Sequence, residues 1–562
     1  YDPNGSFQSI NRRYDIVYGD VMLNFNYNIN RFDIAATVGW TGRYENMNNM
    51  RVSTNGGLVT ENWFDLNASR YTPSSTLQRM ELLKTGYMGT LSLGWDNYLF
   101  LELTGRQERS STLKDQSFFY PSANLSFLFT QAFHMPSWWN YGKLRLSYGI
   151  VGNAPETYTA NIVYEQGSDN GFTWNTIPSS WGNADIRPEK KYEYEIGLES
   201  KFLNNRLGID ISYYNNRVKD QILSTPQPST SGVKNVLMNV GEVANHGWDI
   251  SISATPILTR DFRWDLTANY GVYKNKVVKL ADGVPYLEIL NSGGSGIKIQ
   301  AVEGQPMGDI YAQVPQVNEN GEYLVSDKGL YLNQTELQKV GNINPAGVGG
   351  LFNSFSYKNV FLDFSIDFRI GGDVINEMNQ YATAVGLTPE SLKYRDTEHG
   401  GLSYYYPGDN NSSGIPVQVD PSTGAGPNGE IIYHDGIILP GVVASTGERN
   451  TRIIPAGYYY NTTYNWGTEA EQLTYRHSVF DNSYVKLREL TIGYQFPEKM
   501  ISKLGLGRLS VSVFGRNLFY FYKALKNYDA ESSVGTSWAN QATVGSSTTA
   551  TRSFGVSLRA SF

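Results

Sequence analysis

One feature limits what this chain can fold into more than any other: apolar and polar residues alternate with period two, in stretch after stretch. Leu207, Ile209, Ile211 and Tyr213 interleave with Gly208, Asp210 and Ser212, and Tyr192, Tyr194, Ile196 and Leu198 with Glu193, Glu195, Gly197 and Glu199. Leu362, Phe364, Ile366 and Phe368 alternate with Asp363, Ser365, Asp367 and Arg369, and Leu509, Val511 and Val513 with Ser510, Ser512 and Phe514. Successive side chains of a strand point to opposite faces, so each stretch shows one face to oil and one to water. The pattern places about fifteen strands near 14–29, 31–45, 78–95, 98–112, 119–131, 142–152, 189–203, 206–220, 239–256, 261–275, 348–357, 359–370, 484–496, 507–518 and 552–562. A soluble sandwich with one wet face would satisfy this as well as a membrane barrel. The connections separate the two. Short turns at Ile29-Asn30, Asp96-Asn97, Asn204-Asn205, Leu258-Thr259, Lys358-Asn359 and Lys499–Leu506 contrast with long excursions over 46–77, 153–188, 221–238, 276–347, 371–483 and 519–551. Small hairpins on one side and large loops on the other are the mark of a barrel with periplasmic turns and extracellular loops. The expected fold is all-β, a transmembrane antiparallel β-barrel.

Composition agrees where it bears on the question. No stretch reaches the roughly 20 apolar residues of a membrane helix, and a mean hydropathy of −0.38 suits strands of which every second residue faces water. Aromatics reach 14 %, with 40 tyrosines and 56 glycines, a strand- and turn-rich profile. A net charge of −7 argues against a nucleic-acid partner. Cysteine is absent. The connection 132–141 is long for a periplasmic turn, and its Trp138 and Trp139 suit the membrane interface. The last strand runs Phe554, Val556, Leu558, Ala560, Phe562. The chain begins at Tyr1 without an initiator Met, which reads as a processed product or a fragment.

Motifs of catalysis are absent: no phosphate loop, no nucleophile elbow, no zinc-binding helix. The five histidines (134, 246, 399, 434, 477) lack ligand spacing. Glu193/Glu195 and Asp363/Asp367 are carboxylate pairs on water-facing strand faces, the residue type of glycosidase chemistry, but a wet barrel wall needs such residues anyway. No enzyme, metal or cofactor is expected. Binding is another matter. The long loops carry Trp174, Trp181, Tyr404, Tyr405, Tyr406, Tyr458, Tyr459, Tyr460, Trp466, Tyr520, Tyr522 and Trp538, with Asp409–Asn411 and Asn461 as polar company. Aromatic faces stack on sugar rings while amides and carboxylates bond hydroxyls. The same rings also serve to pack loops, meet a lid protein or form a girdle. The substrate-binding candidates are Trp174, Trp181, Tyr404, Tyr405, Asp409, Asn411, Tyr459, Asn461, Trp466, Tyr520 and Trp538.

Six segments carry a family resemblance. FDNSYVKLRELTIGYQFPEKMISKLGLGRLSVSVFGRNLFYF at 480–521 resembles the "SYLRLKNLTLGY-LP" strand and following "VY-QNLF" strand of SusC-type TonB-dependent transporters. Upstream, in the family's order, lie YGIVGN (148–153), FLNNRLGIDISYY (202–214), VGEVANHGWDI (240–250), VEGQPMG (302–308) and VGNINPAGVGGLFNSFSY (340–357). Within the first segment Val485 and Leu487 fall on the opposite parity to Leu490, Ile492 and Tyr494, which implies a bulge near Arg488-Glu489. Two departures stand out. The family's "DxNGDG" loop is reduced to Asn318–Glu322, short of hard oxygen ligands, so no metal is expected there. Its "YDPE" reads Tyr528-Asp529-Ala530-Glu531.

The resemblance implies an outer-membrane protein of a Gram-negative, Bacteroidetes-like cell and a last strand of the kind recognised for barrel assembly. It implies energised import of a nutrient, here expected to be an oligosaccharide, with an oligopeptide as alternative. It also implies a SusD-like lipoprotein lid, TonB-ExbB-ExbD acting on an N-terminal part, and pairing of two transporter–lipoprotein units. Family barrels have about 22 strands around a plug. The N-terminal plug and barrel segment of the same gene product are therefore expected outside this chain, either as a separate polypeptide or as a part of the product that this sequence does not span, with outer-membrane lipid around the whole. A siderophore or cobalamin receptor and a non-transporting adhesin remain as rival readings.

Overall fold

The computed structural model describes residues 4–114, 117–169, 171–227, 229–292, 296–408, 414–465, 474–502, 505–532, 537–545 and 550–561. Fifteen long strands neighbour one another in chain order in an antiparallel sheet. They are β1 (Gln8–Ile29), β2 (Phe32–Leu58), β3 (Ser69–Trp95), β4 (Leu99–Ser110), β5 (Ser117–Phe127), β6 (Trp139–Asn153), β7 (Glu189–Phe202), β8 (Leu207–Lys219), β9 (Glu242–Leu258), β10 (Phe262–Lys279), β11 (Gly347–Tyr357), β12 (Val360–Ile370), β13 (Tyr484–Gln495), β14 (Arg508–Lys523) and β15 (Ser553–Ser561). Helices are few and short: α1 (Phe129–Ala132), α2 (Glu377–Ala384), α3 (Ala456–Tyr464) and α4 (Glu498–Ile501). Chain contacts divide into two compact units, one of Tyr1–His246 with Val278–Gly283, the other of Gly247–Val277 with Val284–Phe562.

In the first unit the register turns alternation into bands. Tyr27, Ile34, Leu93, Leu101, Leu125, Leu146, Ile196 and Tyr213 are directly opposed, one from each of β1 to β8. A neighbouring rung reads Asn24, Thr37, Thr90, Thr104, Ser122, Gly149, Glu193, Asn216. A one-residue slip anywhere would push a polar side chain into the oily band, so every register is pinned by its neighbours. The turns have the chemistry that tight hairpins demand. Asp96 and Asn97 sit at φ 50° and 60°, and Asn204 and Asn205 at 58° and 62°, left-handed conformations that Asn and Asp tolerate best. Below the band Phe32 stacks on Trp95 at 6.5 Å, Trp95 meets Tyr98, and Trp138 stacks on Phe202 at 6.0 Å. This is an interfacial girdle, and it includes the tryptophan pair of the long 132–141 connection.

The second unit repeats the device. Trp264, Phe355, Leu362, Ile492, Val513 and Val556 oppose one another across β10 to β15. Phe554, Val556 and Leu558 are 74, 72 and 68 % exposed, a bare apolar face that only lipid makes tolerable. The bulge expected from parity is present: Ser365 opposes Glu489 and Ile366 opposes Leu487, leaving Arg488 as the extra residue. The strand β14 is irregular opposite it, with Asn517 at φ 52°.

The structure departs from expectation above the band. Residues 46–77 are not a long excursion: β2 and β3 pair through them, with further irregular pairing up to Leu58↔Ser69. Asn46, Asn48, Asn49, Ser53 and Thr54 are polar on both faces, so a ladder standing in water leaves no alternation to read. For the same reason β14 runs to Lys523, and Tyr520 and Tyr522 belong to a strand rather than a loop. The upper connection between β4 and β5 is short, against the small-and-large rule. The loops that remain fold on themselves. In the first unit Glu165–Asp169 pairs Phe172–Thr176, and Ile222–Pro226 pairs Asn235–Asn239. In the second, Tyr286–Ser292, Ile297–Val302, Asp309–Ala312 and Gln338–Asn342 form a four-stranded sheet. Ile297, Ile299, Ile310 and Ile375 are wholly buried in one core there.

Candidate functional site

The loop that follows β12 brings chemistry together. α2 begins at Asn376, whose side-chain oxygen accepts from the Asn379 backbone N–H, satisfying one of the donors a helix start leaves open. α2 and α3 pack together, and the 3₁₀ turn Tyr475–Ser478 packs on α2. Between them lies a cavity of about 410 Å³. One wall is a run of rings: Tyr459, Tyr460 and Tyr464 of α3 with centroids 5.2 to 6.0 Å apart, and His477 stacked on Tyr464 at 4.3 Å and 17°. Tyr331, Tyr394 and Phe480 add faces from three other segments. Asn379, Thr383, Glu390 and Lys393 supply polar heads. Tyr460 Oη donates to the Glu390 and Lys393 carbonyls, at 3.0 and 3.2 Å, and so ties the helix to the opposite rim. The Lys393 ammonium lies 4.7 Å from the Tyr394 ring centre.

Burial sets the protonation of this lining. It pushes the His477 imidazole down to about 4, with Arg476 adding to the effect, so the ring is neutral at pH 7. Burial also pushes the Tyr331 and Tyr460 phenols up to about 12, and Tyr459 further in the same direction, so all keep their protons. The cavity is a ring-faced chamber whose phenols and imidazole are uncharged, with amide, hydroxyl, carboxylate and ammonium groups at intervals.

A second constellation sits where β13 bulges. Lys486, 2 % exposed, donates to Glu531 at 2.5 Å. Arg488 grips the same carboxylate with two nitrogens, at 2.8 and 2.6 Å, and also reaches Asp367 and Asn517. Lys486 and Arg488, two apart, share a side of the strand by its ordinary period, and the extra residue brings Glu489 onto that side as well, the re-aiming that bulges perform. Asp529 accepts from Tyr520 Oη at 3.0 Å, the Tyr528 carbonyl accepts from Lys523 at 2.6 Å, and the Ala530 carbonyl accepts from Asn482 at 2.9 Å. Every residue of Tyr528–Glu531 is thus pinned. One member of each carboxylate pair noted in the sequence is engaged as well: Asp367 by Arg488, and Glu193 by Lys191 and Asn216.

The sequence candidates scatter. Tyr459 lines the cavity. Asn461 is exposed on α3 and accepts from Asn465. Tyr404 is buried with Tyr406 and Ile453 and donates to Asp435, a core position, and half-buried Tyr405 pairs with Val417. Tyr520 is held by Asp529, with Lys486 and Lys523 over its ring. The Trp538 ring lies against Gly308. In the first unit Trp174 covers Gly167 on its hairpin, and Trp181 meets Tyr164 edge-on at 5.8 Å. Asp409, Asn411 and Trp466 lie outside the described residues. Sequence reasoning missed Tyr331, Tyr394, Tyr464, His477, Asn379, Glu390 and Lys393 as one set. The only local signal was Tyr460 and Tyr464 one helical turn apart. Among the described residues no cluster of His, Asp or Glu is arranged to hold a metal ion.

The family described as TonB dependent receptor-like, beta-barrel matches residues 1–316. TonB-dependent receptor P3 of Formosa agariphila is 24 % identical over 494 residues, covering 80 % of this chain and 42 % of its own length. TonB-dependent receptor SusC of Bacteroides thetaiotaomicron is 30 % identical over 247 residues, 40 % of this chain and 24 % of its own. The chain thus spans less than half the length of these curated relatives. Among solved structures, the RagAB peptide transporter superposes with a TM-score of 0.65 at 18 % identity, over 93 % of this chain and 54 % of that one, which is a likeness of fold. The relatives are named as receptors and a transporter, in keeping with a chain that is not an enzyme.

Proposed function

This chain belongs to the TonB dependent receptor-like β-barrel family, is of the SusC type and lies in the outer membrane, and from that premise we propose that it forms wall and mouth of an importer for oligosaccharides. The observation that carries the substrate class is the cavity beside α2 and α3. A pyranose has apolar C–H faces and a girdle of hydroxyls, and this lining alternates ring faces with Asn379, Thr383, Glu390 and Lys393. Its volume of about 410 Å³ suits one or two sugar rings. An apolar peptide side chain would strip water from the Glu390 carboxylate and the Lys393 ammonium without replacing it, at a cost.

The importer needs company. β1 pairs only with β2 and β15 only with β14 among the described residues, and each unpaired backbone group costs several kcal/mol in lipid. Further strands and a plug from the same gene product complete the cylinder in this reading. A SusD-like lipoprotein presents ligand, and TonB with ExbB and ExbD supplies the pull. Calorimetry of the intact transporter–lipoprotein complex against glycan and peptide libraries tests it. The expected result is glycan binding, weakened about three- to tenfold by Tyr459→Ala, the range for one lost aromatic contact. Reproducible binding of peptides alone would overturn the sugar assignment.

A further inference from the structure

The cavity and the bulge are joined by one side chain. Asn527 Nδ2 donates to Asn379 Oδ1 at 3.0 Å and to Glu390 Oε2 at 3.2 Å, and both acceptors line the cavity. Asn527 stands immediately before Tyr528–Glu531, the stretch that Lys486, Arg488, Tyr520, Lys523 and Asn482 fasten down. On its other side Leu525 is buried against Val374 and Val544, so the backbone is anchored both before and after Asn527. We propose that Asn527 is a positioning residue for the cavity, and that the Glu531 clamp on β13 holds it in place. The packing of the loop on the barrel wall and the shape of the ligand chamber are then a single linked equilibrium. Whatever a seated ligand does to Asn379 and Glu390 reaches Lys486 and Arg488, and a disturbance of the wall at β13 travels back by the same route, because such coupling is reciprocal.

The inference rests on the cavity being the ligand seat, but its test needs no ligand, so the two can fail separately. Amide hydrogen exchange is measured on the detergent-solubilised protein and its variants. Glu531→Gln should speed exchange at least threefold in 528–532 and also in α2. Asn527→Ala, at an exposed position that leaves the clamp untouched, should loosen α2 while 528–532 keeps its protection. Asn527→Asp should behave like Asn527→Ala at pH 7, where two carboxylates would face each other. Compared with the unsubstituted protein at the same pH, it should regain protection near pH 4, when one of the pair takes up a proton and can donate again. Exchange in α2 that is unchanged in Asn527→Ala, or changes in Glu531→Gln confined to 528–532, would overturn the link. If Glu531→Gln does not fold, the two Asn527 variants decide alone.

Discussion

Phe554 and Ile299 are both large apolar residues on strands, and the molecule treats them in opposite ways. Phe554 is 74 % exposed on β15, while Ile299 is fully buried in the small sheet above β10. The wall keeps its oily residues on the outside and its polar rungs on the other face, whereas the long loops of the second unit are organised like soluble domains, with apolar cores and polar skins. One polypeptide is therefore folded against two solvents, and a substitution has to be judged by the solvent its residue meets.

The sharpest way to break this contrast is a charge in the loop core. Ile299→Lys buries an ammonium with no partner among Ile297, Ile310 and Ile375, a cost of several kcal/mol. Limited proteolysis should cut 286–342 rapidly, while the heat-resistant electrophoretic mobility of the barrel persists. Loss of both together would mean that wall and loops fold as one unit. Next comes a matched pair on the wall. Val513→Lys, in the apolar rung of β14, should cost about 2–4 kcal/mol in urea titrations of vesicle-inserted protein. Ser512→Lys, one residue away on the other face, should cost well under 1 kcal/mol, and equal costs would deny the two-faced wall. The smallest effect is on the loops alone and depends on pH. An unfolded His477 takes a proton near 6.5 while the folded one resists until about 4, so the unfolded chain binds more protons between those values. Stability of the α2–α3 region is then full above about pH 6.5 and declines as the pH falls toward 4. His477→Gln should flatten that share of the decline, read as protease susceptibility at pH 7, 5.5 and 4.5.

How much was legible follows from the same division. Where one face meets lipid, alternation writes itself into the sequence, and the strands around Leu207–Lys219 or Tyr484–Gln495 can be read within a few residues of their ends. Even the bulge at Arg488 shows, because an inserted residue flips parity. What the bulge is for does not show, since Glu531 lies 43 positions from Arg488. Where both faces meet water, as in 46–58, pairing continues without any pattern to announce it. The cavity was the least legible. Tyr331, Tyr394, Tyr459 and His477 come from four separated segments, and no periodicity links residues that meet only through tertiary packing. Tyr404 teaches the complementary lesson: a run of loop tyrosines looks like a binding surface, but the member nearest the core is buried and spends its hydroxyl on Asp435.

The length of β2 has one further consequence. It has 27 residues, and those after Tyr44 lie beyond its outward apolar row. At about 3.3 Å per residue and a tilt of about 45°, its last fourteen residues climb roughly 30 Å above the bilayer. A zipped ribbon of that height, three-stranded with β1 as far as Ser53 and two-stranded beyond it, is a fixed mast. A macromolecule approaching this side of the wall would touch its tip, around Asn62 and Trp63, long before it reached lipid.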